Sequence, residues 1–132
     1  MATMKKLTPV LMVEAIEPVL PFWVERLGFE KTVELPHGDR LGFVILVRDG
    51  VEIMYQTVDS VRADVTPLAD RPTGSSFLFV EVEDLDAIER ALADVKPVVP
   101  RRQTFYGADE LIVQDPAGNA VTFAKFGEQQ ES

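Results

Sequence analysis

Residues 111–123 read Leu-Ile-Val-Gln-Asp-Pro-Ala-Gly-Asn-Ala-Val-Thr-Phe, and this stretch predicts two antiparallel strands joined by a tight turn. Asp115–Pro116 favours the start of a turn, and Gly118–Asn119 tolerates the positive φ angles that complete it. A second hairpin is predicted around Asp49–Gly50, because this dipeptide favours a two-residue loop. Two such hairpins, one mid-chain and one near the end, predict a chain built from two copies of one unit.

The composition excludes several classes of function. The chain has 132 residues, a hydrophobic fraction of 46% and a charged fraction of 27%, as expected for one globular domain. Its formal charge of −9 disfavours nucleic acid and anionic membrane surfaces as partners. It contains no cysteine, so disulfides and a thiol nucleophile are excluded. Without a transmembrane run or a recognisable leader, a cytoplasmic location is expected.

The remaining segments complete the pattern βαβββ in each half. The single domain is expected to comprise a first module over residues 7–57, a connector over 58–76 with a short helix near Ser60–Ala69, and a second module over 77–126. In the first module we predict a strand Leu7–Val13, a helix Glu17–Leu27, a strand Glu30–Glu34 and a turn that contains His37. In the second we predict a strand Phe77–Val82, a helix Leu85–Ala93, a strand Val95–Pro100 and a loop over 101–109 with a solvated Arg101–Arg102 pair.

The register of the first hairpin follows from its two-residue loop. Alternation places Val47 opposite Glu52, and it distributes the side chains over two faces. One face is uniformly apolar and is expected to lie under a helix. The other is mixed, as expected for the wall of a ligand cavity, and it includes Phe43, Ile45, Glu52, Met54 and Gln56.

A double βαβββ chain that ends in Asp-Pro-x-Gly-Asn resembles the vicinal oxygen chelate superfamily, which includes glyoxalase I, extradiol dioxygenases and bleomycin-resistance proteins. The resemblance is greatest to the bleomycin-resistance proteins. It implies an α+β fold in which the two modules form a cup-shaped sheet with helices on the outer face. The matching residues are Pro9–Leu11, Phe22–Trp23, Arg26–Phe29, Val47–Asp49, Gly107, Asp115–Asn119, Val121 and Phe123.

The resemblance also identifies the positions at which metal-using members carry His, Gln or Glu. These positions hold Thr8, Met54, Phe77 and Thr122, none of which is a usual ligand for a divalent cation. We therefore expect no metal and no cofactor. Because the metal defines the enzymatic members, the resemblance leaves enzymatic activity open and favours binding alone.

Bleomycin-resistance proteins bind a large cationic glycopeptide without metal and without chemical reaction. They are dimers whose first strand reaches the partner near an early proline, which Pro9 matches. The resemblance therefore implies a metal-free binding protein for a small organic ligand, including a cationic one, that acts as a homodimer and confers antibiotic resistance. The alternative is a glyoxalase-like lyase, isomerase or dioxygenase that acts on a small organic substrate.

The candidate ligand site combines aromatic, apolar and carboxylate side chains. Aromatic faces attract cations and supply stacking area, and carboxylates supply charge pairing. The alternative is a closed core with the acids at its rim. For an enzyme, the candidates for a general base are Glu81 and Glu110. The loop segment Phe105–Gly107 is expected near the mouth of the cup, either as a gate for a ligand or as an ordinary loop anchor. The ligand-binding candidates are Phe43, Ile45, Glu52, Met54, Gln56, Phe77, Phe79, Glu81, Tyr106, Glu110, Ile112 and Thr122.

Overall fold

The computed structural model describes residues 2–127, and it contains two compact units with the boundary between Thr73 and Gly74. That boundary lies inside the segment 58–76 that the sequence marks as a connector. Each unit contains one four-stranded mixed sheet, and the two sheets have the equivalent orders β1-β4-β3-β2 and β5-β8-β7-β6. The predicted α+β class is therefore confirmed. None of the helices within residues 2–127 has the length and apolar character needed to cross a membrane.

Module one contains the strands β1 (Val10–Val13), β2 (Glu30–His37), β3 (Arg40–Arg48) and β4 (Val51–Thr57), followed by the helix α1 (Val58–Asp64) and a 3-10 turn at Thr66–Leu68. β1 runs parallel to β4, whereas the pairs β2–β3 and β3–β4 are antiparallel. The predicted register of β3 against β4 is confirmed, from Phe43 opposite Gln56 to Arg48 opposite Val51.

Two strand limits in module one differ from the prediction. β1 begins only at Val10, because Pro9 has no N–H to donate, although its carbonyl accepts a bond from the Met54 N–H at 3.0 Å. β2 continues through the predicted turn to His37, which pairs with Arg40. The pairing there accommodates a register shift next to Pro36, as expected for proline on an edge strand.

The predicted α-helix Glu17–Leu27 is wrong in type. The segment forms a 3-10 turn at Glu17–Val19 and a π-helical turn at Pro21–Arg26. Two prolines remove N–H groups from the segment, so the regular ladder of hydrogen bonds is interrupted and the chain adopts tighter and wider turns instead. The apolar stripe is nevertheless buried, because Trp23 is only 1% exposed and its Nε1 donates to the Tyr55 hydroxyl at 2.7 Å.

Module two contains the strands β5 (Phe77–Glu81), β6 (Val99–Gln103), β7 (Ala108–Gln114) and β8 (Ala120–Phe126), with the helix α2 (Leu85–Ala91) after β5. The Asp84 side chain caps α2 by accepting from the Ala87 N–H at 3.0 Å. The predicted strand Val95–Pro100 and loop 101–109 are wrong in their limits. β6 starts after Pro97 and continues through Arg101 and Arg102, because Arg102 pairs with Glu110 across the sheet.

The β7–β8 hairpin separates its side chains onto two faces. Leu111 is opposite Phe123 and Val113 is opposite Val121, and all four are buried on the face that we call the covered face of module two. The helix α2 contacts these two strands, and its Leu85 is also buried. The other face, called the open face of module two, carries the side chains of Phe77, Phe79, Glu81, Glu110, Ile112, Ala120, Thr122, Ala124 and Phe126.

The turn that begins at Asp115 is held by side chains as well as by backbone. Asp115 Oδ1 accepts hydrogen bonds from the N–H groups of Ala117 at 2.9 Å and Asn119 at 2.8 Å. Gly118 has the expected positive φ of 94°, but Asn119 does not. Asn119 contributes through its side-chain amide rather than through its backbone conformation. Its Oδ1 accepts a hydrogen bond from the Ser76 N–H at 3.0 Å, which holds the chain just before β5.

Candidate functional site

The predicted site residues of module one share one face of β3 and β4, called the open face of module one. Phe43, Ile45, Glu52, Met54 and Gln56 are all half-buried there. At one end of this face lies a concavity of about 370 Å³. Its lining combines apolar and polar side chains and includes Leu35, Pro36, Phe43, Gln56, Ser60 and Asp64. Gln56 Nε2 donates to Ser60 Oγ at 3.0 Å, so the amide is oriented by α1.

Glu52 is already paired with the segment that precedes β1. Its Oε1 accepts a hydrogen bond from Thr8 Oγ1 at 2.7 Å and lies 2.9 Å from Lys6 Nζ. The Thr8 hydroxyl, followed by the Lys6 ammonium, lowers the pKa of Glu52 from its ordinary value. The position at which metal-using members carry a ligand thus holds a hydroxyl that binds a carboxylate.

The open face of module two exposes a series of aromatic rings. Phe77 is 74% exposed and Phe79 is 53% exposed. The Phe79 ring lies 6.2 Å from that of Phe126, which lies 5.9 Å from that of Tyr106. Tyr106 in turn makes an edge-to-face contact with Phe105, whose side chain is fully exposed. The aromatic surface therefore extends from β5 across the sheet to the β6–β7 loop.

The sequence indicated Phe105 only as part of the loop segment Phe105–Gly107, and Phe126 was missed as a member of this surface. Phe126 was detectable, because it continues the alternation that places Thr122 and Ala124 on the open face. Phe105 carried no periodic signal, since it lies in a turn with Gly107 at a φ of 86°.

Glu110 is the buried carboxylate of this face, with an exposed fraction of 2%. Oε1 accepts from Arg102 Nε at 3.1 Å and Nη2 at 2.7 Å, and Oε2 accepts from the Tyr106 hydroxyl at 2.5 Å. This hydrogen bond raises the pKa of Tyr106 from its ordinary value. Both oxygens of Glu110 therefore accept hydrogen bonds within the protein, two on Oε1 and one on Oε2, and the Arg102 guanidinium already pairs with its charge. Tyr106 is anchored to the sheet in this structure.

The predicted solvated pair Arg101–Arg102 is wrong. Alternation in β6 sends Arg102 to Glu110 on the open face and Arg101 to the helix side. Arg101 there pairs with Asp86 at 2.5 Å and with Glu89 and Asp109 at 3.2 Å each. Arg101 therefore joins α2 to the sheet, whereas Arg102 donates to Glu110 on the open face of module two.

The side chains at the family's metal positions do not fit a divalent cation. Thr8 and Met54 in module one, and Phe77 and Thr122 in module two, offer hydroxyl, thioether and phenyl groups. Within residues 2–127, no three His, Cys, Asp or Glu side chains are grouped so that they could hold a metal ion. Thr122 is 2% exposed, and its Oγ1 makes no hydrogen bond with any described residue.

Comparison with known proteins places the chain in a family. The sequence profile of the Glyoxalase/Bleomycin resistance protein/Dioxygenase superfamily matches residues 6–123, so the chain belongs to this superfamily. A comparison with curated proteins gave no significant match.

Solved structures extend this result. The chain is 29% identical to the bleomycin-binding protein of bleomycin-producing Streptomyces verticillus, crystallised with copper(II)-bleomycin, with 97% and 100% of the two chains covered and a TM-score of 0.64. It is 16% identical to lactoylglutathione lyase from Agrobacterium tumefaciens, with coverages of 99% and 98% and a TM-score of 0.74. A glyoxalase/bleomycin resistance protein/dioxygenase from Nocardioides has 16% identity, coverages of 97% and 87% and a TM-score of 0.72. The two similarities at 16% show the fold alone.

Proposed function

We propose that this chain is a metal-free binding protein that sequesters a small organic molecule of the bleomycin class without changing it chemically. The observation that carries the proposal is the open face of module two, where Phe77 and Phe79 are exposed and a series of ring contacts extends from Phe79 through Phe126 to Tyr106, beside the buried carboxylate of Glu110. Exposed aromatic surface of this kind is typical of ligand or partner sites. Its rings suit a flat ligand, and the formal charge of −9 suits a cationic one.

Each module contributes candidate ligand-binding residues of its own. In module one they are the half-buried set Phe43, Ile45, Glu52, Met54 and Gln56. In module two they are Phe77, Phe79, Glu81, Tyr106, Glu110, Ile112 and Thr122. The similarity of 29% to a bleomycin-binding protein over nearly all of both chains supports the ligand class.

We also propose that the binding protein is a homodimer with exchange of the first strand near Pro9. Within this chain β1 pairs with its own β4, and Lys6 and Thr8 contact Glu52. Met4 and Leu7 are 96% and 89% exposed, so a partner subunit offers a way to bury them. Sedimentation of the full chain distinguishes a dimer from a monomer, and deletion of residues 1–7 is expected to favour the monomer.

Isothermal titration with metal-free bleomycin and with copper(II)-bleomycin tests the ligand class. We expect saturable binding with a Kd of about 1 µM or tighter, which corresponds to roughly −8 kcal/mol. Phe79→Ala is expected to weaken binding at least about tenfold, because buried aromatic contacts often contribute more than 1 kcal/mol. Val98→Ala is the matched control, since Val98 is exposed in the same module but lies outside the open face. Absence of heat with both forms contradicts the drug assignment.

The same samples distinguish sequestration from catalysis. If the protein only binds, mass spectrometry recovers the bleomycin unchanged after prolonged incubation. A superfamily enzyme with Glu81 or Glu110 as its base instead converts a substrate, and Glu→Gln at the active position abolishes turnover while binding persists. Conversion of the ligand that either variant abolishes contradicts the proposal.

A further inference from the structure

The open face of module two has a row of small side chains along β8. The side chains that β8 presents there between its ends are the small residues Ala120, Thr122 and Ala124. Larger side chains stand on both neighbouring strands, with Phe79 directly beside Thr122 on β5 and Ile112 directly beside it on β7. A row of small residues between two rows of large ones defines a groove along the strand, and its floor is covered in this structure, since Thr122 is 2% and Ala124 is 0% exposed.

The floor of this groove contains a polar group without a partner. Thr122 is 2% exposed, and its Oγ1 makes no hydrogen bond with any residue of the described chain. Buried hydroxyls normally have a partner, because leaving one unsatisfied destabilises the folded state. Thr122 also lies on the open face rather than under α2, so a ligand is able to supply the missing partner.

Phe79 is the neighbour of Thr122 on β5. It lies on β5, the edge strand of the sheet, and its ring is 53% exposed although it neighbours a fully buried residue. A ring with solvent on one side is able to change rotamer without displacing the core.

We propose that this groove is a subsite for a flat ligand group that carries a neutral hydrogen-bonding function, such as a carboxamide, which pairs with the Thr122 hydroxyl when the Phe79 ring moves aside. The inference rests on the proposed function, because it assigns a subsite within the same open face. A hydroxyl both donates and accepts, so it matches an amide or a carbonyl. A cationic group at this depth needs a counter-charge, and both oxygens of Glu110 already accept from Arg102 and Tyr106.

Methyl NMR titration of the full chain with benzamide and with toluene tests the subsite. Both probes are flat, and only benzamide carries an amide. We expect benzamide to shift the Thr122 methyl signal and to bind about two- to tenfold more weakly to Thr122→Val, the range that corresponds to one net hydrogen bond. Thr122→Ser keeps the hydroxyl and is expected to retain benzamide affinity. Toluene affinity is expected to be unchanged in Thr122→Val, and Thr32→Val, on exposed β2, serves as the control.

Two results of the benzamide titration overturn the inference. One is equal affinity of the wild type and Thr122→Val for benzamide, and the other is a perturbation confined to signals outside the open face of module two. Thermal unfolding adds a check that needs no ligand, since Thr122→Val is expected to raise Tm by removing an unsatisfied hydroxyl; a lower Tm contradicts the premise. Benzamide binding without bleomycin binding supports the subsite and overturns the drug assignment. Bleomycin binding that Thr122→Val leaves unchanged supports the proposed function and overturns the subsite.

Discussion

The two modules share one strand order but stabilise it by different means. Module one relies on aromatic packing, in which Trp23 contacts Phe22 and Phe29 edge to face and bonds to Tyr55. Among the described residues, the covered face of module two, which lies under α2, has no aromatic cluster of this kind. Module two uses the Arg101 ion pairs and the Asp115 turn instead. The aromatic residues of module two are largely on its open face, where they are available to a ligand. Two sheets of the same topology can therefore carry their aromatic residues either in the core, as in module one, or on the surface, as in module two.

The largest expected effect tests the aromatic core of module one. Trp23→Ala removes a side chain that is 1% exposed together with its hydrogen bond, and we expect a loss of about 3–5 kcal/mol in the free energy of unfolding. Leu85→Ala in module two also removes a buried side chain and is expected to cost about 2–3 kcal/mol. Chemical denaturation measures both. If Trp23→Ala lowers the free energy of unfolding less than Leu85→Ala does, module one does not depend on its aromatic core in the way that we infer.

The same substitution in the two hairpin turns sharpens the comparison. Asp115→Gly removes a buried carboxylate that accepts two backbone hydrogen bonds, and we expect a loss of about 2–3 kcal/mol. Asp49→Gly is expected to change stability by less than about 0.5 kcal/mol, because Asp49 is exposed and its φ of 54° suits glycine. Equal losses in urea denaturation contradict the proposal that only the second turn depends on its side chain.

The ion pairs of Arg101 are expected to contribute less. Arg101→Met keeps most of the apolar stem but loses three carboxylate contacts, and we expect a cost of about 1 kcal/mol. The cost should decrease in 1 M salt, at which the screening length falls to roughly 3 Å. Lys31→Met removes the surface pair with Glu34 in module one and is expected to have no measurable effect. If Arg101→Met lowers stability by the same amount at low salt and in 1 M salt, the loss comes from packing and the predicted role of the ion pairs is wrong.

Acid is expected to detach the segment before β1 in module one. The pKa of Glu52 is lowered in the folded protein, so the contact with Thr8 and Lys6 contributes stability above the ordinary value of 4.5. This contribution is lost as the pH falls through the lowered pKa. NMR signals of residues 6–8 should change in that range. Glu52→Gln should show no such transition, and a transition that persists in this variant assigns it to another group.

Alkali is expected to act on module two instead. The pKa of Tyr106 is raised, so its bond to Glu110 contributes stability below the ordinary value of 10.0 and is lost as the pH rises through the raised pKa. The absorbance of tyrosinate measures this ionisation. Tyr106→Phe removes the transition, whereas Tyr55→Phe is expected to preserve it. Ionisation of Tyr106 at or below its ordinary pKa contradicts the contact with Glu110.

Much of the fold could be predicted from the sequence because its signals are local. Asp49–Gly50 determines the register of β3 against β4, and the alternation of apolar residues separates the faces of β7 and β8. The helix type at 17–27 could not be predicted, because the prolines at 18 and 21 are compatible with several kinds of turn. The limits of β6 also depend on a distant strand, since Arg102 is fixed by Glu110.

The site was less predictable than the fold. Periodicity identifies which residues share the open face, but it does not indicate how their polar atoms are paired. Glu52 and Glu110 are both acids on predicted site faces, yet Glu52 binds a preceding segment and Glu110 binds a loop tyrosine. Such pairings arise from tertiary packing. The exposure of Phe105 likewise depends on the shape of a turn rather than on a repeat.

The parallel pairing at one edge of each sheet also governs the order in which the chain assembles during synthesis. β1 pairs only with β4, so module one has all its strands once the ribosome has released Thr57. β5 (Phe77–Glu81) has to wait for β8 (Ala120–Phe126), because β8 is its only partner strand. The hydrogen bond that holds Ser76, just before β5, also depends on Asn119, just before β8. During that interval Phe77 and Phe79 lie on a strand without a hydrogen-bonding neighbour. The nascent second half thus presents two phenylalanine side chains on an unpaired strand, which is the kind of species that is prone to aggregate.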